Sequence, residues 1–160
     1  MKLILSKIGL VFFMMMVGCS NHTALNDISV FSTKEEALKD FLEENQGEML
    51  LIETTHGDEL IIFIQSNRMY SVYEMINNTE GFGMAKLTSD VDVSNVEGVS
   101  WGISTAENHE YTIHVTKEPI TGFTDIQKGD YYVSIEKGHN FVEVSQPVEN
   151  AIEFVEVFGE

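Results

Sequence analysis

From Gly47 onward, apolar residues recur with the short period of β-strands, and this pattern constrains the fold more than any other feature of the chain. Side chains of a strand alternate between the two faces of a sheet, so Val99, Trp101 and Ile103 point to one side. The same alternation recurs at Tyr111, Ile113 and Val115 and again at Tyr131, Val133 and Ile135. The run Leu60–Ile64 is apolar without alternation, which predicts a central strand covered on both faces.

The segments around this run predict β-hairpins. Met49–Glu53 and Glu59–Gln65 flank the short polar connection Thr54–Asp58, as two strands joined by a turn would do. Further strands are predicted at Met69–Ile76, Phe82–Thr88, Phe141–Val144 and Ala151–Phe158.

One helix is predicted before the strands. Ser32 is a suitable N-cap, and Glu35 three residues later completes a capping box. Gly47 is available for the left-handed residue that follows a helix. An apolar stripe would pack on a sheet through Leu38, Phe41 and Leu42. These patterns predict an α+β fold, with an N-terminal helix packed on a mostly antiparallel sheet in a small sandwich or an open barrel.

Length, charge and cysteine content exclude several classes of protein. A chain of 160 residues has room for one domain and a short appendage. Nine Lys and Arg against 26 Asp and Glu give a net charge of −17, which disfavours binding to a nucleic acid phosphate backbone. Cys19 is the sole cysteine, so an intramolecular disulfide, a CxxC redox pair and a thiolate-rich zinc site are excluded.

The first residues have the pattern of a signal peptide. Lys2 and Lys7 precede the apolar stretch Ile8–Val17, and a small residue, Gly18, follows it. Ten residues of helix would span roughly 15 Å, about half of the hydrocarbon core of a bilayer. A membrane-spanning helix is the alternative interpretation of this segment.

The end of the segment, Met16-Val17-Gly18-Cys19, resembles the lipobox of bacterial lipoproteins, with Met16 where that family usually has Leu. The resemblance implies that the Cys19 sulfur receives a diacylglyceryl group, that the chain is cut just before Cys19, and that the protein is anchored at the extracytoplasmic face of the cell membrane. Two acyl chains suffice for stable anchoring, whereas one does not. The implied organisation is a signal peptide (1–18), a tether (19–30) and one β-rich domain (31–160).

The order of elements in the body is similar to that of small uncharacterised lipoproteins of Gram-positive bacteria. The shared arrangement is a capped Lys-Glu-Glu-Ala helix, then a glycine, then β-hairpins. It carries no catalytic or binding residue over to this chain.

The histidines and the serines do not form a recognisable catalytic pattern. His22 falls in the tether, His56, His109 and His139 in turns where solvated side chains are expected, and His114 on the polar face of a strand. No Gly-x-Ser-x-Gly elbow and no zincin spacing is present. We therefore expect a protein that is not an enzyme. A hydrolase of the cell envelope that uses paired carboxylates is the catalytic alternative.

Asp90 and Asp92 are the candidate metal ligands. Residues two apart in a strand share a face, so the two carboxylates would lie together, near Ser94, Asn95 and Glu97. Oxygen ligands of this kind suit a hard cation such as Ca²⁺. The alternative is a solvated pair of like charges with no metal and no cofactor.

The expected function is binding by an anchored protein. A non-catalytic lipoprotein with this charge would bind a partner protein, preferably a cationic one, or modulate a process of the envelope. The alternative is a lipoprotein that binds a small ligand or a divalent cation. Gly81-Phe82-Gly83 and Trp101 would then line a ligand groove, whereas in the first case they serve packing at strand ends.

Overall fold

The computed structural model describes residues 28–65, 68–121, 124–139 and 149–159. These residues form one helix and ten strands, and every strand pairing between them is antiparallel. In chain order the elements are α1 (Lys34–Glu44), β1 (Gly47–Thr54), β2 (Glu59–Gln65), β3 (Met69–Asn78), β4 (Gly81–Lys86), β5 (Val91–Asp92), β6 (Gly98–Ser104), β7 (Glu110–Thr116), β8 (Ile126–Lys128), β9 (Tyr131–Lys137) and β10 (Ile152–Phe158). The strands form two sheets, neither of which closes on itself.

The larger sheet has six strands in the order β10-β1-β2-β3-β4, and β5 pairs with the first residues of β3. The predicted hairpin is confirmed, since β1 and β2 pair from Gly47↔Gln65 to Glu53↔Glu59. The apolar run Leu60–Ile64 lies in β2 with a strand on each side, and its side chains enter a hydrophobic cluster on either face. Its lack of alternation follows from that double burial.

The smaller sheet has four strands in the order β6-β7-β9-β8. Its alternating apolar residues face the larger sheet, and the two sheets share one hydrophobic core. Trp101 is half-buried against this core, which supports its role in packing. The fully buried members from both sheets include Leu50, Ile52, Leu60, Ile62, Val72, Tyr111, Ile113, Val115, Val133 and Ile135.

Helix α1 covers the opposite face of the larger sheet. Ala37 and Leu38 are buried there among residues of β1, β2 and β3. Phe41 meets Phe63 and Tyr73 edge-on, with ring centroids 5.1 and 4.9 Å apart. Such contacts add about 0.5–1.5 kcal/mol beyond the area buried. The helix therefore shields the apolar residues on this face of the larger sheet from solvent.

The caps of α1 differ from the prediction by one residue. Thr33, not Ser32, is the N-cap, and its hydroxyl accepts a hydrogen bond from the N–H of Glu36 at 3.2 Å. The Glu36 carboxylate in turn accepts from the N–H of Ser32, the residue before this N-cap. Gly47 is not the residue after the helix but the first of β1, where a Cβ would lie 2.5 Å from the Ile64 carbonyl oxygen.

Residues 28–31 lie along β4, at one edge of the larger sheet. Phe31 exchanges backbone hydrogen bonds with Phe82 at 2.8 and 2.9 Å. A Cβ on Gly83 would lie 2.5 Å from the Ile28 side chain, and one on Gly81 would lie 2.2 Å from the Phe31 carbonyl oxygen. The glycines around Phe82 thus admit this segment, which supports the packing interpretation rather than a ligand groove.

Several sequence predictions fall outside the described residues. These are the signal peptide, Cys19, His22 and the strand Phe141–Val144. Within the described residues, no helix has the length and apolarity that crossing a bilayer requires.

Candidate functional site

Two loops, one from each sheet, meet at the same end of the structure. The first joins β1 to β2 and carries His56 and Asp58, and the second joins β6 to β7 and ends at His109. Because the sheets pack face to face over a common core, loops at the same end of the two sheets come within reach of each other. A contact between the Asp58 carboxylate and the His109 ring connects them.

The shape of the first loop turns Asp58 inward and leaves His56 exposed. The N–H of Thr54 donates to the Asp58 carbonyl oxygen at 2.9 Å, and the N–H of Asp58 donates to the Thr54 hydroxyl at 3.1 Å. Gly57 completes the turn with φ +86°, a left-handed conformation that L side chains rarely adopt. The Asp58 side chain is consequently only 5% exposed.

The second loop is closed by Thr105. Its N–H donates to the His109 carbonyl oxygen at 2.9 Å, and its hydroxyl accepts from the His109 N–H at 3.1 Å. Asn108, with φ +64°, provides the reversal, as asparagine often does in the left-handed region. These bonds fix the backbone on both sides of His109, so that its ring is directed at Asp58.

His56, Asp58 and His109 form a compact group, which we call the His–Asp cluster. One potential metal-ligand atom from each residue lies within 4.8 Å of those from the other two. Nδ1 of His109 lies 2.9 and 3.1 Å from the two carboxylate oxygens of Asp58. The two imidazole rings are tilted by 35° with centroids 4.6 Å apart. Nitrogen and carboxylate oxygen at this spacing are suitable ligands for a divalent metal ion.

The buried Tyr111 hydroxyl contacts two residues of the cluster, His56 and Asp58. This hydroxyl donates to Oδ2 of Asp58 at 2.5 Å and lies 3.0 Å from both Nδ1 of His56 and the Thr54 hydroxyl. Burial, together with the hydrogen bond to Asp58, raises the pKa of Tyr111. The phenol therefore keeps its proton and serves as a hydrogen-bond donor to the carboxylate.

A second buried carboxyl group, that of Glu74 on β3, lies beside the cluster. Its Oε2 accepts a hydrogen bond from the N–H of Ala106 at 2.8 Å, and burial raises the pKa of Glu74. A groove passes both Glu74 and Asp58, and its lining also includes Glu35, Glu59, Glu107 and Lys34. Because acidic groups outnumber basic ones in this lining, the local field favours a cation over an anion.

The predicted metal ligands Asp90 and Asp92 hydrogen-bond to different partners. Asp90 lies outside the two-residue strand β5 and accepts a hydrogen bond from Nζ of Lys86 at 2.6 Å. Asp92 accepts from the N–H and the hydroxyl of Ser94, and these bonds lower the pKa of Asp92. Among the described residues, neither belongs to a group of three potential ligands at metal-binding distances.

The other described histidines make separate contacts. His114 lies on the outer face of the smaller sheet, where its Nδ1 is 2.7 Å from the Ser100 hydroxyl, and burial lowers the pKa of His114. Nε2 of His139 lies 2.9 Å from the Ile103 carbonyl oxygen, to which it donates. The His109 side chain, expected to be solvated, is 32% exposed, and its Nδ1 lies 2.9 Å from the buried carboxylate of Asp58.

Sequence reasoning missed the His–Asp cluster because its members come from different loops. Asp58 and His109 are 51 residues apart, and no local spacing relates them. The available signal was indirect: a His-x-Asp segment in one hairpin turn, and a second histidine two residues before Tyr111 of the alternating apolar pattern. Only the packing of the two sheets against each other brings these residues together.

Comparisons with known proteins add no assignment. No protein family model matches the chain, and neither the curated proteins nor the solved structures contain a match to it.

Proposed function

We propose that this chain is a lipid-anchored extracytoplasmic protein, non-catalytic, whose folded part binds a divalent cation at the His–Asp cluster. The observation that carries this proposal is the convergence of three potential ligand atoms, from two loops, within 4.8 Å. The acidic groove beside Asp58 and the net charge of −17 both favour the approach of a cation.

The test of cation binding is calorimetric titration of the purified full chain with ZnCl₂, MnCl₂ and CaCl₂. We expect saturable heat with at least one of these ions and its loss in Asp58→Asn. Asp92→Asn is the matched control, because it removes one exposed carboxylate charge that lies outside the cluster. The absence of heat with every ion, or loss of binding in Asp92→Asn alone, would overturn the assignment of the site.

The proposal of a lipid anchor rests on the sequence Met16-Val17-Gly18-Cys19 and on Cys19 being the sole cysteine. Cells that express the chain in the presence of labelled palmitate should incorporate label into the wild type and not into Cys19→Ala. The mature protein should begin at Cys19. An unlabelled protein with an uncleaved N-terminus would contradict the anchor and the location inferred from it.

A cationic partner protein is the second candidate, and the structure of β10 favours it. This strand lies at the edge of the larger sheet, and Phe154 and Val157 are 56% and 46% exposed on it. An exposed strand edge can pair with an extended segment of another protein.

For the fold, we propose an α+β sandwich in which the helix lies on the outer side of the larger sheet.

Crosslinking on intact cells tests the second candidate. A partner that binds through β10 should be captured by the wild type and lost in Phe154→Lys, which protects the edge with a charge. Capture should also weaken at high salt, because the attraction between the acidic chain and a cationic partner is screened. Equal capture by both chains at both salt concentrations would contradict this function.

A further inference from the structure

We infer that the His–Asp cluster binds a metal ion such as Zn²⁺, which is intermediate between hard and soft in its ligand preference, rather than a hard cation such as Ca²⁺. Tyr111 and Thr54 are the positioning residues of this site. The inference rests on the proposed function of cation binding and names the class of ion. It differs from the Ca²⁺ expected from Asp90 and Asp92.

The chemistry of the ligands is the first argument. Two of the three potential ligands are imidazoles, whose nitrogen suits Zn²⁺, Ni²⁺ and Cu²⁺. Calcium takes six to eight oxygen ligands, and the cluster itself provides a single carboxylate. Three protein ligands with a position left open for another ligand is an arrangement that zinc adopts readily.

The distances are the second argument. In a tetrahedral zinc site with bonds of about 2.0–2.1 Å, two ligand atoms are roughly 3.3 Å apart. Nδ1 of His109 is already 3.1 Å from Oδ1 of Asp58, so a small outward movement accommodates an ion between them. The His109 ring would then carry its proton on Nε2 and present Nδ1 to the metal.

The hydrogen bonds around Asp58 are the third argument. Oδ2 receives the Tyr111 hydroxyl at 2.5 Å, and the Asp58 backbone N–H is held by the Thr54 hydroxyl. With Oδ2 engaged by this donor, Oδ1 is the oxygen that would bind the metal. Partners of this kind fix the orientation of a ligand, and their removal lowers metal affinity by roughly 10–100-fold.

Both positioning residues are buried in the core, so the variants must separate affinity from stability. Tyr111→Phe and Thr54→Val each remove a hydroxyl while keeping the volume nearly unchanged, and Thr54→Ser restores the hydroxyl. His114→Gln is the control, because it changes a histidine on the outer face of the smaller sheet. The melting temperature of each metal-free variant reports its stability independently of binding.

The experiment compares ZnCl₂ with CaCl₂ by calorimetry on the full chain and uses Co²⁺ as a spectroscopic substitute for zinc. We expect the affinity for zinc to be at least 100-fold above the affinity for calcium. The absorption spectrum of the Co²⁺-bound chain should be typical of cobalt with a low coordination number and with nitrogen and oxygen ligands. His109→Gln should lose at least 100-fold in zinc affinity. Tyr111→Phe and Thr54→Val should lose about 10–100-fold, whereas Thr54→Ser and His114→Gln should bind like the wild type.

The possible outcomes separate the inference from the proposed function. Calcium affinity equal to or above zinc affinity would overturn the inference and leave cation binding in place. No binding of any ion would overturn both. Zinc affinity that is unchanged in Tyr111→Phe and in Thr54→Val would overturn the positioning role. If one of these two variants fails to fold, the other decides.

Discussion

Glu74 shows at the level of a single residue how burial makes a charge costly. Its carboxyl lies in the groove next to Asp58 and receives a hydrogen bond from the Ala106 N–H, yet burial dominates and raises the pKa of Glu74. A carboxyl whose pKa is higher in the folded state than in the unfolded state stabilises the fold less as pH rises. The charge of Glu74 therefore opposes folding at neutral pH.

Glu74→Gln should accordingly raise the melting temperature at pH 7, because glutamine keeps the acceptor for Ala106 and carries no charge. The difference from the wild type should shrink as pH falls and vanish below the ordinary carboxyl pKa of about 4.5, where both side chains are neutral. Thermal unfolding in the presence of a chelator measures this without interference from metal. The exposed Glu43→Gln is the control, and an equal response of both variants would contradict the burial argument.

His109 and Asp58 illustrate why the site could not be predicted residue by residue. Each stands in a turn, where solvated polar side chains are the usual expectation, and each is separated from its partner by about fifty residues of chain. Burial of Asp58 depends on the opposite sheet, which no local pattern reveals. The sequence shows that these residues are potential metal ligands, but it does not show that the fold brings them together.

At the level of elements, local patterns predicted strands well wherever one or both faces are buried. Leu60–Ile64 lies in the interior of the larger sheet, as its continuous apolar character predicted. The alternation at Val99, Trp101 and Ile103 corresponds to β6. The N-cap was displaced by one residue because Ser32 and Thr33 are both good caps and the choice depends on the position of Glu36.

The glycine turns allow a matched test of the loop that positions the cluster. Gly57 and Gly129 both have left-handed φ, at +86° and +56°, and in both cases a Cβ would meet no neighbour within 4 Å. Alanine at either position should therefore lower the free energy of unfolding by about 1 kcal/mol through backbone strain alone. Only Gly57→Ala changes the loop that carries His56 and Asp58.

We expect Gly57→Ala to weaken zinc binding, whereas Gly129→Ala should bind zinc like the wild type despite a similar loss of stability. Denaturant unfolding without metal measures the loss of stability, and calorimetry measures the zinc affinity. If both variants lost zinc affinity equally, the effect would come from general destabilisation, and the role assigned to the first loop would be wrong.

At the level of the whole molecule, the His–Asp cluster joins the two sheets. His56 and Asp58 extend from the larger sheet and His109 from the smaller one, so an ion bound between them would link the two layers in addition to their shared apolar core. The mostly antiparallel β-sheets were predictable from the periodicity of the chain. The order of strands in the larger sheet was not, because β10 returns from the end of the chain to pair with β1.

A ligand that binds only the folded state stabilises it by mass action. Zinc at 100 times its dissociation constant should raise the free energy of unfolding by about 2.7 kcal/mol. Urea unfolding with and without zinc measures this shift. The His56→Gln/His109→Gln double variant should show no shift, and a shift of the same size in that variant would place the stabilising ion elsewhere.

The most direct measurement is the zinc content of the full chain after equilibrium dialysis against micromolar zinc, determined by elemental analysis. We expect one zinc ion per chain for the wild type and for Asp92→Asn, and none above background for the His56→Gln/His109→Gln double variant. A wild-type chain that emerges without zinc, or a double variant that retains it, would contradict the assignment of the His–Asp cluster as a metal site.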